Sequence, residues 1–595
     1  MNSNYTTRLE SVRQEMDRLG LDAYILPSED EYLGEYIPDY NRRLEWLSGF
    51  TGSAGMIIIL KESAALFVDG RYTVQSRQQV SDQDYQFLHL HEDPQAAWLC
   101  EQLESGKVVG FDPRMHTYQW YLDTKSVLKA ANITLKSLEV NPIDLNWHER
   151  PTTKVKPCIL MDEKWTGINS LTKRTNIGKA IADKKADAAI IFSAESCNWL
   201  LNIRGQDIPS LPITLGFGIL YANGDMVFHT NLAKLDSNIE EHVGSGVSFL
   251  DESDFKESLV SLSQKQVLAD FNSCNAFSLI HADYNGATLI KQADPVLIPK
   301  ASKSEIEISG MREAHIQDAA AEIGFLHWFD QQIEQNLRLD EAALSDKLLT
   351  FRQQQPNFVE VSFDTISAAG SNAAMCHYNH LNGSPAKLPE NGVYLVDSGG
   401  QYDFGTTDIT RTLAVGQPDD EIKRHFTLVL KGHIALDQIT FPKGTTGSQL
   451  DVLARAPLWQ NGLDFDHGTG HGVGHFMSVH EGPQRISKKG NDTALLPGMV
   501  LSNEPGYYKD GSYGIRCENL VVVTEIEDLG QDGKTFMGFE PLTLVPFDIR
   551  LILKELLTAP EREWLNSYHK KVHSIMIDRI ADQDKEWLFK ATRAL

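Results

Sequence analysis

Short apolar runs bounded by turn residues recur along the first half of the chain. AGMIIIL (54–60) and AALFVDG (64–70) have the composition of buried strands, and RYTVQSRQQV (71–80) after them begins a helix. KAIADKKADAAIIF (179–192) predicts a helix followed by a strand, and LGFGILYANGDMVFH (215–229) predicts a hairpin with an Asn-Gly turn. The first half therefore alternates helix and strand patterns, which is typical of α/β domains.

The pattern changes near residue 304. DPVLIPKASKSE (294–305) predicts a strand that runs into a polar, lysine-containing link. From Glu305 the apolar residues follow helical spacing for about thirty positions, and strands rich in Val, Ile and Leu come later. A chain of 595 residues exceeds what one core usually supports. These observations predict three domains, with bounds at 1–148, 149–303 and 304–595.

Composition narrows the class of protein. Apolar residues make up 42% and charged residues 23%, as in ordinary globular proteins, and the net charge of −26 argues against a nucleic-acid backbone as partner. The first twenty residues are polar, and the longest apolar run, Met56 to Leu60, is too short to span a bilayer. Six scattered cysteines without a CxxC indicate reduced thiols. We therefore expect a cytoplasmic protein without nucleic-acid or membrane partners.

Histidines are densest in DFDHGTGHGVGHFMSVHEGP (464–483). This segment holds His467, His471, His475 and His480, with glycine at every second position from 468 to 474. Such glycines would let the backbone pass close to metals and substrate, where a Cβ would clash. A phosphate loop does not fit, because no Lys-Ser/Thr pair follows and the spacing differs from a dinucleotide fingerprint.

Two aspartates flank a predicted β-hairpin. VYLVD (393–397) and TDITRTLAV (407–415) are strands by composition, so Asp397 and Asp408 can face one another. Buried carboxylates must be paired, protonated or bound to a metal. For each aspartate taken alone, a turn or edge position is the alternative interpretation.

Two glutamates lie at predicted strand ends, Glu504 before Pro505-Gly506 and Glu518 before the run LVVV. Each taken alone could be solvated or salt-bridged. Combined with the aspartates and a histidine, they make a set suited to two divalent cations that share carboxylates and a water. Hard oxygen donors with one nitrogen favour Mn²⁺, with Co²⁺, Fe²⁺ or Zn²⁺ possible. Two close metals lower the pKa of a bridging water, which indicates hydrolysis.

Several motifs together resemble the pita-bread metallopeptidases, which include methionine aminopeptidase, prolidase and aminopeptidase P. The catalytic motifs are VDSGGQYDFGTTDITRT (396–412), HGTGHGVG (467–474), NEPGYY (503–508) and GIRCEN (514–519). Upstream, RLEWLSGFTGSAG (43–55), LFVDGRYTVQS (66–76) and NWLLNIRGQDIPSLP (198–212) resemble the first two domains of the three-domain aminopeptidase P family. The resemblance implies α/β and α+β domains: two creatinase-like α/β N-terminal domains followed by a pita-bread catalytic domain.

The resemblance also implies a ligand set for two metal ions. Asp397 matches a ligand of one metal, Asp408 and Glu518 match ligands that bridge the pair, and His471 and Glu504 match ligands of the other. Glu504 would also shuttle a proton. A hydroxide bridging the two ions would attack the scissile carbonyl, and the metals and nearby donors would stabilise the oxyanion.

Three further histidines and an arginine fall at family positions. The resemblance implies that His377 and His480 act near the scissile bond, that His467 lines the proline-side pocket, and that Arg516 pairs with ligand carboxylates such as Asp408. His475 is predicted to be structural, and His380 has no support from the motifs. Cys517 stands where relatives carry an aliphatic residue, and we expect little effect from a small buried thiol.

The implied activity is release of the N-terminal residue from peptides with proline in the second position. A prolidase, which accepts only Xaa-Pro dipeptides, would use the same fold and metals. A pita-bread domain that has lost catalysis and serves as a binding module is the alternative from another class. The family also implies a homodimer.

Overall fold

The computed structural model describes residues 2–152, 154–527, 529–531 and 533–595. It divides into two compact units. The first comprises Met1–Asp162, Ile168–Pro209 and Ile213–Leu297, and the second comprises Glu163–Gly167, Ser210–Pro212 and Ile298–Leu595. The division into three domains at 148/149 and 303/304 stays a prediction. Within the described ranges, none of the helices combines the length and the apolar character that crossing a membrane requires.

The first unit contains two six-stranded sheets with the same topology. The first sheet consists of β1 (Ala23–Pro27), β2 (Gly55–Leu60), β3 (Ala64–Val68), β4 (Gln86–His89), β5 (Val108–Phe111) and β6 (Thr134–Ser137), in the spatial order β4-β3-β2-β1-β5-β6. A short pair, β7 (Ile159–Leu160) with β9 (Ile203–Arg204), belongs to the same unit.

The second sheet repeats the first. It consists of β8 (Ala188–Ile191), β10 (Phe217–Tyr221), β11 (Met226–His229), β12 (Val247–Leu250), β13 (Gln266–Ala269) and β14 (Thr288–Lys291), in the order β12-β11-β10-β8-β13-β14. In both sheets an antiparallel three-stranded meander is extended by parallel strands at each side. The chain therefore contains a duplicated α/β fold, although no short repeat is visible in its sequence.

The α-helices alternate with these strands and continue through the second unit. In chain order they are α1 (Asn2–Leu19), α2 (Arg43–Ser48), α3 (Thr73–Gln79), α4 (Gln95–Gln102), α5 (Tyr118–Ala130), α6 (Pro142–Asn146), α7 (Glu163–Thr166), α8 (Ser170–Asp183), α9 (Ala194–Leu201), α10 (Ile239–Val243), α11 (Phe255–Val260), α12 (Ala276–Tyr284), α13 (Leu297–Ala301), α14 (Glu305–Glu334), α15 (Glu341–Arg352), α16 (Asp420–Asp437), α17 (Gly447–Trp459), α18 (Ala559–Met576) and α19 (Lys585–Ala591).

The second unit combines antiparallel sheets with its long helices. Its strands are β15 (Phe358–Val361), β16 (Ile366–Ala369), β17 (Gly392–Ser398), β18 (Gly400–Tyr402), β19 (Gly405–Thr406), β20 (Ile409–Val415), β21 (Phe441–Pro442), β22 (Gly470–Gly472), β23 (Glu481–Ile486), β24 (Val500–Asn503), β25 (Gly506–Lys509), β26 (Tyr513–Arg516), β27 (Asn519–Ile526) and β28 (Phe536–Pro541). They form the sheets β15-β18-β19, β16-β17-β20, β21-β28-β27-β24-β22-β23 and β25-β26.

The predicted elements with strong periodicity are confirmed. The apolar runs form β2 and β3, the Asn-Gly turn joins β10 to β11, and the helical pattern from Glu305 forms α14. Helix α14 begins there because Ser304 and Glu307 make a capping box, in which each side chain satisfies a backbone N–H of the other. The mixed α/β and α+β class is therefore confirmed.

The prediction for residues 294–305 was wrong in two respects. The apolar part forms the short helix α13 instead of a strand, because Asp294 accepts a hydrogen bond from Val296 N and so turns the chain. The lysines of the supposed polar link are buried. Lys300 Nζ lies 2.7 Å from Glu481 Oε2, and Lys303 donates to Glu481 Oε1. A buried carboxylate thus pairs with two ammonium groups, so none of the three buried side chains lacks an oppositely charged partner.

Candidate active site

Asp397 and Asp408 are brought together by paired strands, as predicted. β17 and β20 run antiparallel with Asp397 opposite Thr410, and Asp408 immediately precedes β20. Every residue of both strands is buried. The residues between them are more than a simple turn, because they form the β18-β19 hairpin of another sheet. Both aspartates are therefore interior carboxylates and not exposed turn residues.

Three neighbouring strands carry the remaining residues of the predicted ligand set. His471 lies in β22, Glu504 follows β24, and Glu518 precedes β27. β24 pairs with both β22 and β27, so these three side chains meet at the same end of three adjacent strands. The sequence folds this way because short apolar runs form the strands and the carboxylates stand just outside them.

Distances define a tight cluster around the imidazole of His471. Its Nε2 lies 3.4 Å from Asp408 Oδ2 and 3.6 Å from Glu504 Oε1. Single donor atoms of Asp408, His471 and Glu518 all lie within 4.8 Å of one another. Glu504 is further held by Ser502 Oγ, which donates to its Oε1 at 3.0 Å. Four of the five predicted ligands thus converge directly.

Asp397, the fifth, is joined to the cluster through Arg516. The guanidinium donates from Nη2 to Asp397 Oδ2 and from Nε to Thr410 Oγ1 at 2.9 Å, and the threonine hydroxyl donates to Glu518 Oε2 at 2.6 Å. Arg516 therefore pairs with a ligand carboxylate, as expected, and that carboxylate is Asp397 rather than the example of Asp408. Register explains the difference, because Asp397 lies opposite Thr410 while Asp408 lies beyond the end of β20.

The electrostatics of the cluster fit bound cations. Burial, opposed by Arg516 and reinforced by Asp408 and Glu504, raises the pKa of Asp397 to about 7. Burial and the charges of Asp408 and Asp397 raise the pKa of Glu518 well above its ordinary value. Burial alone would lower the pKa of His471, but the Asp408 hydrogen bond and the Glu504 charge raise it to about 9. Crowded carboxylates of this kind repel one another unless cations or protons compensate them.

An unsatisfied atom supports the same fit. Asp397 Oδ1 is buried and has no hydrogen-bond partner among the described residues, whereas its Oδ2 is held by Arg516. A buried carboxylate oxygen that lacks a hydrogen-bond partner and feels the charges of Asp408 and Glu504 is an available ligand. Four carboxylates with one imidazole nitrogen are also the donor set that hard divalent ions prefer.

The three additional histidines lie around this cluster. The His480 ring stands edge-on to the His471 ring, with centroids 4.3 Å apart. His467 Nε2 lies 2.8 Å from Tyr508 OH, and its Nδ1 lies 2.7 Å from Gly468 O. His377 is half-buried and follows Cys376, whose carbonyl oxygen accepts from Arg516 Nη1 at 3.4 Å. His480 thus contacts the cluster directly, whereas His467 is linked to it through Tyr508 and Arg516, and His377 follows a residue that Arg516 holds.

Tyr508 is the residue that sequence reasoning missed. Its hydroxyl accepts from Arg516 Nη1 at 2.7 Å and contacts His467, so it connects the histidine to the arginine. The hairpin of β25 and β26 makes this possible by placing Tyr508 opposite Gly514, two residues before Arg516. The sequence offered one signal for Tyr508: side chains alternate between the two faces of a strand, so in NEPGYY Tyr508 shares a strand face with Gly506.

The alternating glycines serve close backbone packing. A Cβ on Gly470 would lie 1.9 Å from Ser502 O, and one on Gly472 would lie 2.3 Å from Glu481 O. These contacts are with neighbouring strands, so strand packing by itself requires glycine at these two positions. Gly468 differs, since its nearest contact would be at 3.6 Å.

Fold and site together define a metallopeptidase, and comparison with known proteins agrees. Residues 309–525 match the model of metallopeptidase family M24, and 535–595 match the C-terminal region of that peptidase. Residues 8–142 and 149–307 each match a creatinase/prolidase N-terminal domain. The predicted succession of two creatinase-like domains and a pita-bread domain is confirmed.

Relatives match along nearly the whole chain. A probable Xaa-Pro aminopeptidase P of Botryotinia fuckeliana is 40% identical over 96% of this chain and 90% of its own. Aminopeptidase P1 of Lotus japonicus is 35% identical over 96% of both chains. The crystal structure of X-prolyl aminopeptidase from Caenorhabditis elegans, described as a cytosolic enzyme with a di-nuclear active site, superposes with a TM-score of 0.95 at 34% identity over 100% of both chains.

A dipeptidase shares only part of the architecture. An Xaa-Pro dipeptidase from Bacillus anthracis reaches a TM-score of 0.51 at 24% identity, covering 64% of this chain and 99% of its own. That likeness concerns the fold alone. The chain belongs to metallopeptidase family M24, among the aminopeptidase P proteins.

Proposed function

We propose that the protein is a metal-dependent aminopeptidase that releases the N-terminal residue from peptides with proline in the second position. The observation that carries this is the convergence of buried Asp408 and Glu518 and half-buried Glu504 on His471, with buried Asp397 joined to them through Arg516. Relatives named as Xaa-Pro aminopeptidases over the full length support the substrate class. Such a bond needs a dedicated enzyme because proline lacks an N–H and its ring fixes φ.

Two divalent ions would be held by Asp397, Asp408, His471, Glu504 and Glu518. When bound, they supply a water of lowered pKa and polarise the scissile carbonyl. Manganese is the proposed ion because oxygen donors predominate, with cobalt or zinc as alternatives. The di-nuclear site described for the nematode relative supports the count of two.

The chain's own groups then position substrate and move protons. Glu504 takes up a proton from the attacking water, with Ser502 Oγ holding its carboxylate in place. His377 donates to the scissile carbonyl oxygen, and His480, edge-on to His471, donates to the departing nitrogen.

Arg516 and His467 have supporting roles in this arrangement. Arg516 orients Asp397 and Tyr508 with separate nitrogens of one planar group. His467, held by Tyr508, lines the pocket for the proline ring.

We further propose that the protein is a cytoplasmic homodimer with domains at 1–148, 149–303 and 304–595. The family matches at 8–142, 149–307 and 309–525 support these bounds, and the description of the nematode relative as cytosolic supports the location. Size-exclusion chromatography with light scattering measures the oligomeric state.

The experiment compares two substrates on chelator-stripped protein. Arg-Pro-Pro and Arg-Pro are incubated with Mn²⁺, Co²⁺ or Zn²⁺ added back, and released arginine is quantified. Metal-dependent cleavage of the tripeptide supports the aminopeptidase. Cleavage of Arg-Pro alone replaces it with a prolidase. Bound metal without cleavage of either peptide indicates a binding module, and Arg-Ala-Ala serves as the control for proline selectivity.

A further inference from the structure

A long connection between two strands carries His377. Residues 370–386 lead from β16 towards β17, and only short 3₁₀ turns interrupt their irregular path. His377 lies in the middle of this connection and is half-buried. Irregular segments do not hold a side chain in one place unless other groups fix them. The structure shows which groups do so.

One carboxylate accepts hydrogen bonds from along the whole connection. Glu341, the first residue of α15, is fully buried and accepts four hydrogen bonds. Its Oε1 accepts from Ala369 N at 2.8 Å and Asn372 Nδ2 at 2.9 Å. Its Oε2 accepts from Tyr378 OH at 2.8 Å and Ala386 N at 2.7 Å. The donors come from the start, the middle and the end of the connection.

The opposite side of the connection contacts Arg516 and its strand β26. Cys376 O accepts from Arg516 Nη1 at 3.4 Å, and Ala373 O packs against Gly514, where a Cβ would come within 1.8 Å. The residues on both sides of His377 are therefore held by different anchors. Cys376 is tied to Arg516, and Tyr378 is tied to Glu341.

We infer that Glu341 is a positioning residue for the reaction, which fixes residues 370–386 so that His377 reaches the scissile carbonyl. The inference rests on the proposed function, because His377 acts there. Four converging donors require four acceptor lone pairs, which a carboxylate has and an amide lacks. The N-terminus of α15 also favours a negative charge at this place.

A mutant cycle with a neighbouring control tests the inference. The variants are Glu341→Gln, His377→Ala and the double variant, with Asp340→Ala as control. Asp340 caps the same helix by accepting from Ala343 N at 2.9 Å, so its loss weakens the helix end without removing a Glu341 acceptor. Arg-Pro-Pro hydrolysis, metal content and hydrogen–deuterium exchange of residues 370–386 are measured on the metal-loaded full chain.

We expect the effects of Glu341→Gln and His377→Ala on kcat/KM to be non-additive. Glu341→Gln lowers kcat/KM at least about tenfold, as expected when a hydrogen-bond donor to the scissile carbonyl oxygen loses its position. In the His377→Ala background the same change lowers it less than about twofold, because the group that Glu341 positions is already gone. Metal content stays at the wild-type level, and exchange of residues 370–386 rises. Asp340→Ala stays within about threefold of wild type and leaves that exchange unchanged.

Other results overturn the inference. Independent losses that multiply in the double variant, loss of bound metal in Glu341→Gln, or a fully active His377→Ala would each do so. If Glu341→Gln does not fold, Tyr378→Phe removes one of the four bonds and is entered in the same cycle. A wild-type protein inactive on Arg-Pro-Pro refutes the proposed function, and unchanged exchange in Glu341→Gln separately refutes the anchoring.

Discussion

Thr410 donates a hydrogen bond to Glu518 Oε2 at 2.6 Å while its hydroxyl accepts from Arg516 Nε at 2.9 Å. This neutral side chain thus links a proposed ligand to the arginine that holds Asp397. The bond lowers the pKa of Glu518, against the larger effect of burial and neighbouring carboxylates. Hydroxyls in this position orient a ligand without binding the metal themselves.

Replacing Thr410 by valine should weaken metal binding. The methyl group keeps the volume, but Glu518 loses a donor and Arg516 loses an acceptor, so we expect about a 10–100-fold loss in metal affinity. Competition with a chelator at fixed pH measures it. Thr230→Val in the first unit, which removes only the bond to Leu215 O, is the control. Equal affinities of Thr410→Val and wild type would refute the orienting role.

Arg516→Lys should impair both activity and stability. One ammonium cannot reach Asp397, Tyr508 and Thr410 together, so we expect kcat to fall about 10–100-fold. Because lysine keeps one positive charge for Asp397, the free energy of unfolding of the metal-free protein should fall by less than the about 3–5 kcal/mol that complete loss of a buried ion-pair partner costs. Arg312→Lys, whose partner Glu540 is partly exposed, should stay within about twofold in kcat. An unaffected kcat in Arg516→Lys would contradict the network.

Two glycines of the histidine-rich segment should respond differently to alanine. At Gly470 the new Cβ would lie 1.9 Å from Ser502 O, so β22 must shift away from β24, at a cost of about 1–3 kcal/mol or more. At Gly468 the nearest contact is 3.6 Å, and alanine should be neutral or stabilise by about 0.4–1 kcal/mol. Urea unfolding of both variants measures the difference, and equal stabilities would show that β22 adapts without strain.

Asp437 should make stability depend on pH. Burial, opposed by the Trp564 hydrogen bond and the Lys571 charge, raises the pKa of Asp437 to about 7 from 3.8. Between those values the unfolded chain has already released the proton that the folded protein retains, so this group destabilises the fold progressively as pH rises. Asp437→Asn lacks that dependence. The difference in free energy of unfolding, Asp437→Asn minus wild type, should increase between pH 4 and pH 8 by at most about 4 kcal/mol.

The comparison of pH 4 with pH 8 removes a complication. The asparagine amide at position 437 changes the hydrogen bonding inside the core, where Trp564 Nε1 donates to Asp437 Oδ2 at 2.7 Å and still needs an acceptor oxygen. The effect of this change on the free energy of unfolding is the same at both pH values. Asp420→Asn, exposed on the same helix, is the control and should show no comparable increase. A pH-independent difference for Asp437→Asn would mean that the carboxyl is already ionised in the folded protein.

Local pattern and motif spacing were sufficient to predict the strands, the long helix and the candidate ligands. β17 and β20 follow from apolar runs and α14 from helical spacing, whereas the resemblance of the motifs to a known family selected Asp397, Asp408, His471, Glu504 and Glu518 as ligands. These features depend on residues near one another in sequence, where period and propensity act directly. The chemistry of the carboxylates became readable only when they were taken together, as a set suited to two divalent cations.

Only the tertiary structure decided which distant groups meet. Arg516 pairs with Asp397 and not Asp408, two supposed linker lysines enclose Glu481, and Glu341 collects donors up to 45 positions away. Such pairings depend on strand register and on which side chains become buried together, and neither is a local property of the sequence. Burial then selects the partners, since each interior charge or donor needs a specific group within hydrogen-bond distance.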